Sequence, residues 1–180
     1  ADREWFSGER VLPALARVLR AEVGAGHLRM VVVPDMPPGL ALIDAPDVDS
    51  VVEANRELAS QLLDAADLWL FVTTSARYAD AVPWELLRTA QQRRTALAVV
   101  LNRVPVEALG EIERDLRRML SEAQLSELAL FVIDEGSLEA GRMPERQVEP
   151  VREWLRALAS DAEARSAVMR QTLWGALDSL

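Results

Sequence analysis

"ALAVVLNRV", Ala96–Val104, opens with six apolar residues in a row and then turns polar at Asn102 and Arg103. A run that is apolar at every position, not at alternate ones, reads as a strand buried on both faces, as in parallel sheets. Four other runs share this character: "LRMVVVP" (Leu28–Pro34), "LALIDAP" (Leu40–Pro46), "LWLFVTT" (Leu68–Thr74) and "LALFVID" (Leu128–Asp134). From Leu68 onward the runs alternate with helical patterns, the βαβ rhythm of a parallel sheet. Between the first two lies Asp35-Met36-Pro37-Pro38-Gly39, a short turn cluster that predicts an antiparallel hairpin.

The intervening segments carry apolar stripes at helical spacing. Val51, Ala54, Leu58, Leu62 and Ala65 form one, with Asp49 or Ser50 placed to cap it. Pro83 suits a first helical turn and is followed by Trp84, Leu87 and Ala90. A third stripe runs from Val106 through Leu109, Ile112, Leu116 and Leu120, and a last one from Gln147 through Val151, Leu155, Leu158 and Ala162. Helical spacing is also visible over Gly8–Val23, while Glu135–Arg146, with two glycines and a proline, reads as a loop. The expected fold is therefore a three-layer α/β arrangement, with a mostly parallel sheet of about five strands and one antiparallel hairpin on its N-terminal side. Residues 1–146 form the expected core, and 147–180 a C-terminal helix or helices, packed on it or extending from it.

Composition narrows the chemistry. The chain has 180 residues, half of them hydrophobic, enough for one domain with a real core. A net charge of −9 argues against a nucleic-acid groove. Cysteine is absent, which removes disulfides, thiol catalysis and Cys-based zinc sites and suits a cytoplasmic setting. His27 is the sole histidine, so His-rich metal sites and a His-based triad are poor fits. No apolar run approaches the roughly 20 residues of a membrane span, and the acidic surface offers no anionic-lipid patch, although a neighbouring segment could supply peripheral attachment. All basic residues are arginine, so the phosphate-binding GxxxxGK[ST] loop is not here. The glycine cluster Gly24-Ala25-Gly26-His27 lacks its spacing. The chain starts at Ala1 and reads as a piece of something longer.

Asp44 follows an apolar run and precedes Pro46. A carboxylate at a strand's carboxyl end can hold Mg²⁺ through water beside a nucleotide phosphate, or it can simply cap a turn. Asp47 and Asp49 lie within reach as further ligands, though helix capping is the commoner use of Asp49. Thr73, Thr74 and Ser75 end another run, as phosphate contacts or as turn caps, and Arg77 in the following loop is a candidate charge stabiliser. The five tryptophans read as packing residues, and "EIERDLRRML" as a charge-laced helix surface with pairs such as Glu113–Arg117.

Asp44 in "LALIDAPDVDS" and Asn102 in "VVLNRVP" resemble the third and fourth signature motifs of P-loop GTPases, DxxG and NKxD, in order and interval. "AADLWLFVTT" between them resembles the strand after the family's switch II helix, and the whole string looks closest to dynamin-like and related bacterial GTPase domains, over roughly Val31 to Ile133. The resemblance implies an incomplete Ras-like domain whose P-loop lies upstream. It implies GTP and Mg²⁺ as cofactors, with Asp44 holding the metal through water. Asp47 and Val48 would then line the γ-phosphate, and Asn102 and Arg103 would frame the base. Homodimerisation or a protein partner would be in keeping with such a domain.

The sequence departs from that pattern at defined places. Asp47 stands where the family has glycine, and Val48 where some members carry a water-orienting glutamine. Arg103 replaces the lysine of NKxD and Pro105 its aspartate, and "IDEGS" (Ile133–Ser137) matches the fifth motif poorly. Two other readings follow: a degenerate G domain acting as a scaffold, and a MinD/ParA-like ATPase fragment. The expected hairpin and the Asn102 motif weigh against the second.

Overall fold

A computed structural model describes residues 12–18, 27–34, 36–47, 53–136, 138–161, 163, 166–168 and 170. Its strands are β1 (Ala16–Val18), β2 (His27–Arg29), β3 (Leu68–Thr74), β4 (Ala96–Val104) and β5 (Ala129–Asp134). Its helices are α1 (Glu53–Asp64), α2 (Ala81–Gln92), α3 (Leu109–Glu122) and α4 (Glu145–Ser160), with a 3₁₀ turn at Val106–Ala108 leading into α3. The chain divides into two compact units, Ala1–Ala66 and Asp67–Leu180.

The second unit is the α/β core. Its sheet has the order β3-β4-β5, parallel throughout, as helical crossovers require. Central β4 is buried at every position from Ala96 to Leu101, so both of its faces are covered. Edge strand β3 buries Trp69 and Thr73 on one face, while Val72 on the other is 56% exposed. On β5, Phe131 meets Trp154 of α4 with ring centroids 5.6 Å apart and planes tilted by 59°, a favourable oblique geometry.

The helices of this unit follow their stripes. Pro83 sits in the first turn of α2, where the missing N–H has no intrahelical partner to lose. Trp84, Leu87 and Ala90 are buried below it, and Leu116 and Leu120 are the buried pair of α3. Both α2 and α3 close with a residue in the left-handed region, Arg94 (φ 52) and Gln124 (φ 60). The following N–H groups turn back to satisfy carbonyls near the helix end, Thr95 to Ala90 at 2.9 Å and Leu125 to Leu120 at 2.8 Å.

The first unit overturns several expectations. Its two short strands are β1 and β2, and they pair in parallel with Ala16 opposite His27 and Val18 opposite Arg29. The antiparallel hairpin is therefore not formed. Of Leu28–Pro34 only the first two residues belong to a strand, and 40–47 has no regular structure. Helical spacing over Gly8–Val23 also misled, since Ala16–Val18 is strand; most of the rest of that segment lies outside the described residues. Apolarity makes a strand only where a partner edge accepts its backbone. Pro34, Pro37, Pro38 and Pro46, which donate no N–H, work against such pairing. Val31, 65% exposed, and Leu42 show that these apolar runs are not core. The remaining helix of this unit, α1, buries Leu62 of its expected stripe together with Ala59, which the stripe did not include, while Ala54 and Ala65 are exposed; Asp49 and Ser50, the proposed caps, lie outside the described residues.

Candidate functional site

In a parallel sheet, side chains that meet ligands gather beyond the carboxyl ends of the strands. The carboxyl ends of β3 and β4 are tied together closely here. Thr74 pairs with Asn102, the Ser75 N–H donates to the Asn102 carbonyl at 3.1 Å, and the Ser75 hydroxyl donates to the Arg103 carbonyl at 2.6 Å. On the other side the β4–β5 register slips between Leu101 and Val104, leaving Asn102 and Arg103 in a bulge. Bulges of this kind re-aim side chains at a strand end.

Arg103 occupies the left-handed region at φ 55, a conformation costing a non-glycine residue roughly 1–2 kcal/mol. Its own N–H donates to Asn102 Oδ1 at 2.9 Å, which offsets part of that cost. The same bond settles the orientation of the Asn102 amide, because only its oxygen can accept an N–H. Asn102 Nδ2 and the Arg103 guanidinium are left as donors at the tip of the strand, with Arg103 exposed. Pro105, two residues on, starts the 3₁₀ turn and carries no polar side-chain atom.

The loop after β3 is folded onto itself. The Arg77 and Tyr78 N–H groups donate to the Thr74 carbonyl at 3.0 and 2.9 Å, and Trp84 Nε1 donates to the Tyr78 carbonyl at 2.8 Å. Arg77, the proposed charge stabiliser, is held by Asp80 at 3.1 Å. The Tyr78 hydroxyl donates to Asp115 of α3 at 3.0 Å, and Arg118 binds the other oxygen of that carboxylate at 2.6 Å. Burial first, and then the hydrogen bond to Asp115, push the Tyr78 phenol above its ordinary pKa. The Arg118 guanidinium, and then the Tyr78 hydroxyl, hold Asp115 below the usual carboxylate value. These groups, with Glu111, Ile112 and Arg114, line an open concavity of about 370 Å³.

At the end of β5, the Glu135 N–H donates to the Val104 carbonyl at 2.8 Å, and Gln147 Nε2 donates to the Asp134 carbonyl at 3.1 Å. A Cβ at Gly136 would stand 2.8 Å from Gln147 Nε2, so the glycine makes room for this clasp. Gln147 escaped the sequence reading as a site residue. Its signal was a polar side chain at the head of the buried stripe that continues through Val151 and Leu155. Within "IDEGS", Ser137 lies outside the described residues.

Asp44 and Asp47, the carboxylates assigned to metal and γ-phosphate, are exposed residues of the irregular stretch 40–47 in the first unit. Asp44 thus does not end a strand, because the run before it found no partner. Asn102 and Arg103 belong to the second unit, and Val48 lies outside the described residues. Among the described residues no group of three or more His, Cys, Asp or Glu could hold a metal ion. Among the described residues no helix is long and apolar enough to cross a membrane.

No protein-family model matches the chain, nor does any curated protein or solved structure.

Proposed function

We propose that this chain is the base-binding side of a Ras-like nucleotide-binding domain of the dynamin-like GTPase kind, with its P-loop supplied by sequence outside the chain. The observation that carries this reading is the carboxyl end of β4. There a bulge, a left-handed Arg103 and the Arg103 N–H bond to Asn102 Oδ1 together fix one asparagine amide at the mouth of a parallel βαβαβ unit. Such an arrangement spends backbone strain to aim a side chain, which is a mark of binding sites. Asn102 and Arg103 frame the base. On this reading Asp44 would hold Mg²⁺ through water, and Asp47 and Val48 would line the γ-phosphate, as the resemblance implies. No hydrolytic step is assigned to these residues, since Val48 cannot orient water.

The replacements at Asp47, Val48 and Pro105 favour a second reading, a degenerate G domain that binds a protein partner and turns nothing over. The MinD/ParA-like alternative loses the hairpin as an argument against it, and Asn102 at the strand end still weighs against it. The test is equilibrium binding of GTP and ATP by the full-length protein with Mg²⁺, repeated for Asp44→Ala and Asn102→Ala. Binding that falls about tenfold or more in Asn102→Ala is expected, because a hydrogen bond lost in a desolvated site is worth about 1.5 kcal/mol. No binding by the full-length protein leaves the scaffold reading, and binding indifferent to both substitutions removes the site assignment.

A further inference from the structure

We infer that the tip of β4 and the concavity on α3 lie on one closed ring, so that the Arg103 turn and the Tyr78–Asp115 bond form and break together. Arg103 stands at one apex, in the left-handed region at φ 55. From it the ring runs two ways. Along the chain, buried Val104 leads through Pro105 and the Val106–Ala108 turn straight into α3, which carries Asp115. Through space, the Ser75 hydroxyl donates to the Arg103 carbonyl at 2.6 Å, and Ser75 opens the loop that carries Tyr78. The Tyr78 hydroxyl donates to Asp115 at 3.0 Å and closes the ring.

Neither limb is slack. In the loop, the Arg77 and Tyr78 N–H groups share the Thr74 carbonyl, and the Tyr78 carbonyl accepts Trp84 Nε1 at 2.8 Å. In the other limb the Ala108 N–H donates to the Pro105 carbonyl at 3.0 Å, and buried Leu116 seats α3. Arg118 steadies Asp115 from its other oxygen at 2.6 Å. Coupling travels through contiguous packed and hydrogen-bonded elements of this kind. The balance at the apex is also close. A left-handed non-glycine residue costs about what one or two hydrogen bonds return. Arg103 is held there by two, its N–H to Asn102 Oδ1 and its carbonyl to the Ser75 hydroxyl. The coupling is reciprocal. A ligand that favours the Arg103 turn tightens the clasp on α3, and a partner that draws Tyr78 from Asp115 loosens the strand tip. None of this depends on what the strand tip binds.

The experiment is amide hydrogen exchange on the 180-residue chain, natural and Tyr78→Phe, which removes one hydroxyl and keeps the aromatic ring. The Arg103 amide is expected to exchange about fivefold faster in the variant, the worth of one hydrogen bond. Arg142, bonded to the Glu139 carbonyl in a turn outside the ring, should keep its rate. Asp115→Ala should give a comparable acceleration at Arg103, and the double variant no more. In the reverse direction the reporter is the Tyr78 phenol. Ser75→Ala should lower its pKa toward the value in Asp115→Ala, as should Arg103→Val, whose branched side chain resists a positive φ. Arg103→Gly, which accepts that φ freely, should leave it unchanged. An Arg103 amide indifferent to Tyr78→Phe overturns the inference, and so does an acceleration shared equally by Arg142, which marks a general loss of stability. Should Arg103→Val fail to fold, Ser75→Ala decides the reverse direction: a phenol that titrates there as in the natural chain overturns the inference.

Discussion

Tyr78 is the sole tyrosine of the chain, so its ionisation can be followed without ambiguity at the red edge of the ultraviolet spectrum. Burial and the bond to Asp115 raise its pKa above the ordinary 10.0. The folded state holds the phenol proton more tightly than the unfolded chain does, so this contribution to stability is full below pH 10 and fades as pH rises past it. Asp115 works in the opposite sense. Its depressed pKa contributes stability above the unfolded carboxylate value, and that is lost as acid protonates it. In Asp115→Ala the phenol should titrate lower than in the natural protein yet still above 10, because burial, the larger cause, remains. A pKa unchanged by Asp115→Ala would show that the 3.0 Å bond is not formed in solution. None of this network was legible in the sequence. Tyr78 and Asp115 are 37 positions apart, and only the return of α3 beside the β3 loop joins them. The place of Asn102 near the carboxyl end of β4, by contrast, was legible, because the unbroken apolar run stops at Leu101.

Elements were legible where they are buried. The β3, β4 and β5 ranges follow the apolar runs almost residue for residue; burial on both faces accounts for this in β4, whereas β3 and β5 are only partly buried. Leu40–Pro46 is just as apolar and is not a strand, because sequence records propensity and not the presence of a partner edge. Helix ends were harder to read. Neither α2 nor α3 closes on the glycine that usually marks such a turn, and the residues there are Arg94 and Gln124. Gln124 at φ 60 is followed by Leu125, buried like Leu120, whose carbonyl it bonds. Gln124→Gly should relieve the left-handed strain, less the entropy glycine adds to the unfolded chain. A net gain of about 0.5–1 kcal/mol is expected in urea titration. A loss of stability would mean that α3 ends differently in solution.

At the scale of the whole chain, the two units differ in how much core they own. Among the described residues before Asp67, only Leu15, Ala59 and Leu62 are buried apolar side chains. After it come the length of β4, Trp69, Trp84 and Leu87, and the Leu116–Leu120–Leu125 cluster with Ile133 and Leu155. Stability in a protein is not uniform, and regions poor in buried apolar contacts open first. The stretch 40–47, without regular structure, and the exposed Val31–Val33 should therefore be the first sites of limited proteolysis. Asp67–Leu180 expressed alone should keep a single cooperative unfolding transition, with β4 amides the slowest to exchange with deuterium. The reason is topological as well as apolar, since each β3-β4-β5 neighbour is reached through a local helical crossover and none of the three needs a strand from the first unit to pair. Fast exchange throughout β4 in that segment would show that the core depends on residues before Asp67. It would also move the proposal for Asn102 and Arg103, which draws its geometry from the β3-β4-β5 sheet, onto a larger piece of the molecule.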